Sequence, residues 1–305
     1  MKIAVFGIGG VGGIVGGALA QNHRETYFYV RGENLEAIRR DGLRVQSVTL
    51  GDFTAHPKLA SDDATRFGVM DAVLVSCKGH VLDAACRAIA PMVGPGTAVI
   101  PLLNGVVVSD VMEPLLPPCI LADGTIRVFS RLEKPGRIVH SAGPCGIVCG
   151  MKDGGRPSRL EAVADLLSRT GVPTTLSDDI LVESWAKYAI MCGNSVVFCR
   201  YGGPAGKVRE DPDHETALRA VVGELVAVAA AKGVALPADT ADRYVDQFAK
   251  LPPDTVTSLY RDLSSGKPAE RTERDHIIGR MLEFGRQTSV ATPYHKAAYD
   301  RFASQ

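Results

Sequence analysis

The chain has 305 residues, and its 34 basic side chains balance its 34 acidic ones, so the formal net charge at neutral pH is zero. This balance argues against a nucleic-acid-binding protein, which needs a basic surface to contact phosphates. No run of about 18 apolar residues free of glycine and charge is present, which argues against a membrane-spanning protein. The length exceeds one ordinary α/β unit, so we expect two domains, a cytoplasmic location and a small-molecule substrate.

The seven cysteines are odd in number and scattered along the chain, unlike the framework of a secreted, disulfide-bonded domain. We expect them to be reduced residues of the core. Cys145 and Cys149 have only His140 nearby and no second Cys or His pair at the spacing of metal ligands, so we predict no metal site.

The N-terminus reads MKIAVFGIGGVG, in which a short apolar strand, Lys2–Phe6, runs directly into Gly7, Gly9 and Gly12. This is the G-x-G-x-x-G spacing that opens a dinucleotide-binding βαβ unit. The first glycine permits a tight turn, the second lets the backbone approach a pyrophosphate, and the third lets the next helix pack against the strand. A helix beginning near Gly10 would point its N-terminal amides at the phosphates. The motif predicts a bound dinucleotide; the alternative is a glycine-rich packing turn.

The end of the second predicted strand, Thr26–Val30, distinguishes the two nicotinamide dinucleotides. Units that prefer NAD place an acidic residue there to bind the ribose 2′-hydroxyl, whereas this chain has Arg31. A guanidinium suits the 2′-phosphate of NADP, because it binds phosphate through charge-assisted, bidentate hydrogen bonds. We therefore predict NADP(H) as the cofactor, while Glu33, two residues further on, leaves NAD open.

Strand and helix signals alternate as far as about residue 150, as a mostly parallel sheet requires. Buried strands are predicted over Asp71–Ser76 and Thr97–Leu102, and they are followed by Lys78 and Asn104. Ligands of a doubly wound sheet bind beyond the carboxyl ends of its strands, so these two polar residues are candidates for binding. The other elements predicted here are a helix, Asn34–Arg40, and an irregular excursion with strands near Leu43–Leu50.

After Asp178 the pattern changes to long helical periodicities. We therefore predict the α/β fold class, with an N-terminal Rossmann-type doubly wound domain over residues 1–178 and an all-helical C-terminal domain over residues 179–305. The helices predicted in the second domain are Ile180–Arg200, His214–Lys232, Ala238–Ala249, Ser258–Leu263 and Arg274–Thr288.

The first helix of the second domain carries a lysine, Lys187, in the apolar stretch WAKYAIMCGNSVVF. Met191, Asn194 and Ser195 follow it by four, seven and eight positions, so they project on the same side of the helix. A lysine in such surroundings is either a catalytic residue or a side chain that reaches solvent beside Glu183. The helix alone favours the second alternative.

Taken together, these segments resemble the ketopantoate reductases (2-dehydropantoate 2-reductases) and their relatives over nearly the whole chain. The matching pieces, in order, are GIGGVG, VRG, the lysine after the third major strand, LNG, VHSAGPCGIVCG, ESWAKY and SLYRDLSSGKPAERTERDHIIG. The resemblance implies NADPH-dependent reduction of 2-dehydropantoate (ketopantoate) to pantoate, a step of pantothenate biosynthesis. A homodimer stays an open alternative for the assembly.

The resemblance also implies roles for the cofactor-binding residues. The glycines would hold the pyrophosphate and the arginine the 2′-phosphate, while a lysine would lie near the nicotinamide ribose and an asparagine would reach both cofactor and substrate. The residues concerned are Gly7, Gly9, Gly10 and Gly12, then Arg31, Lys78 and Asn104.

For the reaction itself, the resemblance implies that Lys187 is the general acid and Glu273 its acidic partner. Hydride addition to a carbonyl builds an alkoxide, which an ammonium can both stabilise and protonate. Ser258 matches a hydroxyl that binds the substrate carboxylate. The alternative for Glu273 is an exposed charge in a charged run of residues.

The chain departs from the family in the residues that would line the substrate. Met191 and Ser195 stand where asparagines usually contact ketopantoate, and Thr255 stands where another asparagine is often found. Asn194 lies one residue away, and a shift of one position turns a side chain by about 100° around a helix. We predict substrate contacts from Asn104, Asn194, Ser195 and Ser258, and we keep open a related enzyme that acts on another 2-keto acid.

Two hypotheses that assign the chain to other classes of protein stay open. A β-hydroxy-acid dehydrogenase also joins a dinucleotide unit to a helical domain with a lysine, but the RTE segment argues against it. A non-catalytic NADP-binding sensor would keep Gly7 to Gly12 and Arg31 but would not need Lys187 with Glu273. A histidine-dependent mechanism is disfavoured, because His140 and His80 have no obvious carboxylate partner.

Overall fold

The structure, a computed structural model, describes residues 1–302. The chain divides into two compact units, residues 1–103 with 107–183 and residues 104–106 with 184 onward. The predicted fold class is confirmed, because the first unit holds a parallel sheet with helices and the second is helical. The division after Glu183 lies a little beyond the predicted boundary, and it assigns Asn104–Val106 to the second unit.

Two sheets form the framework of the first unit. Its strands are β1 Ile3–Phe6, β2 Thr26–Tyr29, β3 Leu43–Ser47, β4 Gly51–Ala55, β5 Leu59–Ser61, β6 Ala72–Val75, β7 Ala98–Pro101, β8 Ile120–Leu121, β9 Asp123–Lys134, β10 Arg137–Gly150 and β11 Thr174–Leu176. Its helices are α1 Gly10–Asn22, α2 Gly32–Asp41, α3 Leu82–Ile89, α4 Val108–Met112 and α5 Ser158–Arg169. One sheet is parallel, in the order β5-β2-β1-β6-β7-β8.

The central strand β1 is buried on both faces of this parallel sheet. Ile3 and Val5 belong to the apolar cluster on one face, and Ala4 and Phe6 belong to the cluster on the other. Successive side chains of a strand point to opposite faces, so a strand covered on both sides is a continuous apolar run. This is why a sequence as short as IAVF predicts a strand correctly.

The strands expected near Leu43–Leu50 are confirmed by β3, but they belong to a regular second sheet and not to an irregular excursion. There β3 pairs antiparallel with β4 and parallel with β10, and the sheet continues through β9 and β11. Leu43–Ser47 finds its partner in Arg137–His140, far along the chain. The pairing of such distant segments is not contained in local sequence patterns.

The glycine-rich helix α1 contacts strands of both sheets. A Cβ atom at Gly16 would lie 2.9 Å from the ring of Phe28 in the parallel sheet, and one at Gly17 would lie 2.7 Å from Val45 in the second sheet. Each glycine in a helix interior destabilises it by about 0.5–1 kcal/mol relative to alanine. The helix has glycines at these positions despite that cost, because a larger side chain would clash with the two sheets.

The second unit is built from helices. They are α6 Ile180–Tyr201, which begins in the first unit, and α7 Ala205–Arg209, α8 His214–Ala231, α9 Thr240–Ala249, α10 Ser258–Ser264, α11 Arg280–Thr288 and α12 Pro293–Asp300. The predicted helix Arg274–Thr288 is confirmed, because its residues are helical throughout, and within it residues Asp275–Gly279 form a π-helical turn that leads into α11. The carbonyl of Ile277 in this turn accepts a hydrogen bond from Tyr188 of α6, so a tertiary contact shapes this segment.

The core of the second unit centres on aromatic side chains. Trp185 is fully buried, and its ring centroid lies 5.7 Å from those of both Tyr188 and Phe284. Packing of this kind fixes the rotation of α6 about its axis. Among residues 1–302, no helix is long and apolar enough to cross a membrane.

Candidate functional site

The parallel sheet brings three predicted residues to one edge of the first unit. Strands β1, β2 and β6 end in register. Gly7 follows β1 directly, Arg31 follows β2 by two residues and Lys78 follows β6 by three. They share the carboxyl edge, where open parallel sheets bind their ligands.

The glycine turn at this edge has a separate reason for each glycine. Gly7 has a φ of +88°, and a Cβ atom there would lie 2.5 Å from the Ser76 carbonyl oxygen. A Cβ atom at Gly12 would overlap the Gly7 carbonyl oxygen, and one at Gly10 would overlap the backbone of Ser130 in β9.

Gly9 differs from the other three, because apart from its own chain neighbours no atom of residues 1–302 lies within 4 Å of the position its Cβ would take. It is also the N-cap of α1, with no side chain capping the helix and no acidic residue in the first turn. Open space beside uncapped helical amides fits a pyrophosphate. The residues present therefore fit the dinucleotide that the sequence predicts.

Arg31 is the N-cap residue of α2 and is exposed. Its guanidinium makes no hydrogen bond or ion pair with any other residue of the described part of the chain, so a ligand phosphate would meet no competing carboxylate partner on it. Glu33 lies in the first turn of α2 and is also exposed. Lys78 caps a short 3₁₀ turn, Gly79–Val81, that leads into α3.

The catalytic lysine predicted from the family resemblance lies beside an amide in the second unit. Lys187 Nζ is 3.5 Å from Asn104 Oδ1, at the outer limit of a hydrogen bond, and both residues are half-buried. An amide oxygen next to an ammonium orients the charge without neutralising it. The structure therefore brings together two residues that are 83 positions apart in sequence.

Two further hydrogen bonds, which sequence analysis did not find, surround this pair. His276 Nε2 lies 2.5 Å from the backbone carbonyl of Asn104, and the Tyr188 hydroxyl donates to the carbonyl of Ile277 at 2.6 Å. Because Tyr188 follows Lys187 and Ile277 follows His276, these contacts form a closed ring. Burial raises the pKa of Tyr188 well above its usual value, so its hydroxyl stays a neutral donor.

The residues that follow Lys187 on its helix do not all share its surroundings. Met191 and Asn194 are half-buried like the lysine, and the amide oxygen Oδ1 of Asn194 is a buried acceptor with no hydrogen-bond partner among the described residues. Such an atom is costly to leave unpaired and is a candidate contact for a polar ligand.

The structure places the side chain of Ser195, which the sequence predicts to bind substrate, in the core of the second unit. Its side chain is fully buried, with Oγ 2.9 Å from the Met191 carbonyl oxygen and 3.1 Å from Thr257 Oγ1. Thr257 in turn caps α10 by accepting the Tyr260 amide. Ser195 therefore braces the start of α10, because its position on α6 turns it into the core.

Ser258 and Glu273 both keep some exposure to solvent. Ser258 is the first residue of α10 and is exposed. Glu273 is half-buried just before the π-helical turn, and its carboxylate forms no ion pair with any residue of the described range 1–302. Among the described residues the carboxylate has no cationic partner, and the predicted partnership with Lys187 stays a prediction.

The cysteines and His140 have structural surroundings. Burial raises the pKa of the Cys149, Cys192 and Cys199 thiols to about 12 each, so these thiols stay protonated at neutral pH. His140 is buried, with Nδ1 2.8 Å from Ser47 Oγ and Nε2 3.0 Å from the Ala142 carbonyl. Within residues 1–302, no cluster of three or more His, Cys, Asp or Glu side chains could hold a metal ion.

Curated relatives span the whole chain. An uncharacterized oxidoreductase, YkpB, of Bacillus subtilis is 26% identical over 301 residues, which cover 98% of this chain and 97% of the relative. A 2-dehydropantoate 2-reductase of Mesorhizobium japonicum is 28% identical over 314 residues, which cover 96% of this chain and 94% of the relative.

Solved structures share the fold. That of a PanE/ApbA family ketopantoate reductase from Ralstonia eutropha JMP134 has a TM-score of 0.86 at 28% identity, covering 99% of this chain and 97% of that one. A ternary structure of D-mandelate dehydrogenase with NADH and anilino(oxo)acetate has a TM-score of 0.85 at 22% identity, with the same coverage of 99% and 97%.

Family models match most of both units. The model described as "Ketopantoate reductase PanE/ApbA" matches residues 3–154, and the one described as "Ketopantoate reductase PanE/ApbA C terminal" matches residues 179–304. The resemblance found in the sequence is confirmed. The chain is an oxidoreductase that belongs to the ketopantoate reductase family.

Proposed function

We propose that this protein reduces 2-dehydropantoate to pantoate with NADPH. The observation that carries the proposal is the Lys187 ammonium held 3.5 Å from the Asn104 amide oxygen, in a chain whose first unit has the glycine turn of a dinucleotide-binding protein. An ammonium oriented by an amide is suited to protonating the oxygen of a carbonyl. Relatives of nearly full length that bear the name 2-dehydropantoate 2-reductase support the choice of substrate.

The cofactor would be held at the carboxyl edge of the parallel sheet. Gly7, Gly9 and Gly12 would contact the pyrophosphate, and Arg31 would bind the 2′-phosphate through its guanidinium, which has no partner within residues 1–302. Lys78 would lie near the nicotinamide ribose. When bound, the reduced nicotinamide supplies the hydride that attacks the substrate carbonyl carbon.

The chain's own residues would handle charge and protons. As the carbon–oxygen double bond opens, negative charge builds on the oxygen, and Lys187 would stabilise it and transfer one proton to give the alcohol. Asn104 would fix the direction of the ammonium. Ser258 would hold the substrate carboxylate with its hydroxyl, and Glu273 would orient the lysine or return its proton.

The proposal is tested by following NADPH oxidation with a panel of 2-keto acids that includes ketopantoate. We expect ketopantoate to be reduced and Lys187→Ala to abolish most of the turnover. Exchange of NADPH for NADH in the same assay tests the cofactor. Failure of every 2-keto acid, together with retained NADPH binding, would favour a non-catalytic sensor instead.

A second candidate function is reduction of a different, more apolar 2-keto acid. Met191 stands half-buried four residues after Lys187, where the family usually has an asparagine, so the polar lining for the ketopantoate hydroxyl is thinner. The fold neighbour that binds NADH and anilino(oxo)acetate acts on a substrate of another kind. The same panel decides between the two candidates through the ratio of kcat/KM values.

A further inference from the structure

The segment that carries Asn104 is held by a hydrogen bond from His276, a residue with no part in the proposed proton transfer. Asn104 lies in an irregular stretch, and the hydrogen bond to His276 is the one its backbone makes within the described residues. The carbonyl of Asn104 can only accept, so His276 Nε2 must carry the proton. The position of the Asn104 side chain therefore depends on His276.

His276 is itself positioned by the π-helical turn. Residues Asp275–Gly279 form the turn, and the adjacent carbonyl of Ile277 is fixed to Tyr188 by a 2.6 Å hydrogen bond. Tyr188 is buried, and it lies within α6 one residue after Lys187, so the two residues are joined by regular helix. One side of the ring thus ties the turn to the lysine's helix, and the other ties it to Asn104.

We propose that His276 is a positioning residue that sets the Asn104 amide against the Lys187 ammonium. This rests on the proposed function, since Lys187 must be the proton donor for the positioning to affect turnover. The hydrogen bond of His276 ends on the Asn104 backbone carbonyl and not on the ammonium or the amide side chain, so its effect passes through the Asn104 backbone. A single hydrogen bond of this kind changes an equilibrium roughly fivefold to tenfold.

The test is a double-mutant cycle with kcat and KM for the best 2-keto acid of the panel. His276→Ala should lower kcat roughly fivefold to tenfold with little change in KM. In an Asn104→Ala background, which keeps the backbone carbonyl but removes the amide, the same change should lower kcat less than about twofold. His276→Gln, which can donate from its own Nε2, should restore most of the wild-type kcat.

His214 supplies a matched control, because its Nδ1 also lies 2.7 Å from a backbone carbonyl, that of Asp211, in the same unit but outside the ring. His214→Ala should leave kcat unchanged. Equal losses from His276→Ala in both backgrounds, or no rescue by glutamine while the unfolding temperature falls, would overturn the proposal. Lys187→Ala is measured alongside: if it leaves turnover intact, the proposed function fails, and if it abolishes turnover while the His276 effect is additive, only this inference fails.

Discussion

The glycine turn and the cluster around Lys187 differ in how far apart their residues lie in the sequence. The turn occupies six consecutive positions, Gly7–Gly12, and its conformation follows from strand, glycine and helix in that order. The cluster joins Asn104, Lys187 and His276, and its longest contact spans 172 positions. A local turn is recognisable in a sequence, whereas a cluster of this kind exists only once α6 and the π-helical turn have packed together.

The comparison predicts different kinds of damage from mutation. A change in the turn affects the backbone and the cofactor together, because the glycines serve both packing and binding. A change in the cluster affects chemistry while the surrounding aromatic core keeps the helices in place.

The largest effect is expected for Lys187→Ala. Removal of a general acid lowers kcat by roughly two to four decades, while NADPH binding should change by no more than a few-fold, because the glycine turn is untouched. Steady-state kinetics and a fluorescence titration of NADPH measure the two quantities. Unchanged turnover would assign the proton to another group.

The glycine turn offers a matched pair, Gly12→Ala and Gly9→Ala. The methyl group at position 12 would overlap the Gly7 carbonyl, whereas the one at position 9 would meet open space. We expect Gly12→Ala to lower the free energy of unfolding by about 1–3 kcal/mol, and Gly9→Ala to leave it unchanged but to weaken NADPH binding about tenfold. Thermal unfolding and nucleotide titration compare the pair; equal stability of both variants would contradict the overlap.

Arg31→Ala tests whether the edge of the sheet distinguishes the two nicotinamide dinucleotides. Loss of a charge-assisted contact with the 2′-phosphate should cost about 1.5–3 kcal/mol, or roughly one to two decades in the Kd of NADPH. The Kd of NADH should stay nearly the same. An equal loss for both cofactors would mean that Arg31 supports the start of α2 instead.

Met191→Asn tests whether position 191 affects selectivity among 2-keto acid substrates. An added amide would offer a partner for the ketopantoate hydroxyl, so the kcat/KM ratio of ketopantoate to an apolar branched 2-keto acid should rise by up to about tenfold. Competing-substrate kinetics measure the ratio. If the wild type already prefers ketopantoate by several decades and the variant changes nothing, Asn194 or the C-terminal helices supply the contact.

The smallest effect is expected for Ser195→Ala. Loss of the contact with Thr257 should lower the free energy of unfolding by about 1 kcal/mol, while KM for the substrate stays within twofold. Denaturant unfolding and kinetics separate the two outcomes. A raised KM without any change in stability would restore Ser195 as a substrate-binding residue.

The features that sequence analysis did not find have a common physical cause. Lys187, Met191 and Ser195 share one side of a helix in projection, yet Ser195 is buried and bonded to Thr257, which lies 62 positions further on. The rotation of α6 about its axis is fixed by Trp185 and its aromatic neighbours, and no periodicity argument supplies that angle. The pairing within the second sheet was not predicted for a similar reason, because the strand β3 pairs with a distant strand.

Local sequence predicts the dinucleotide turn, the parallel strands and most of the helices of the second unit, because each depends on a few adjacent residues and their periodicity. It also determined the family, through the order of its segments. Three features became visible in the folded chain alone: α1 contacts two sheets, Ser195 hydrogen-bonds to Thr257, and His276 hydrogen-bonds to the backbone of Asn104. Those features depend on contacts between distant segments, whose pairing is settled by the packing of the whole unit.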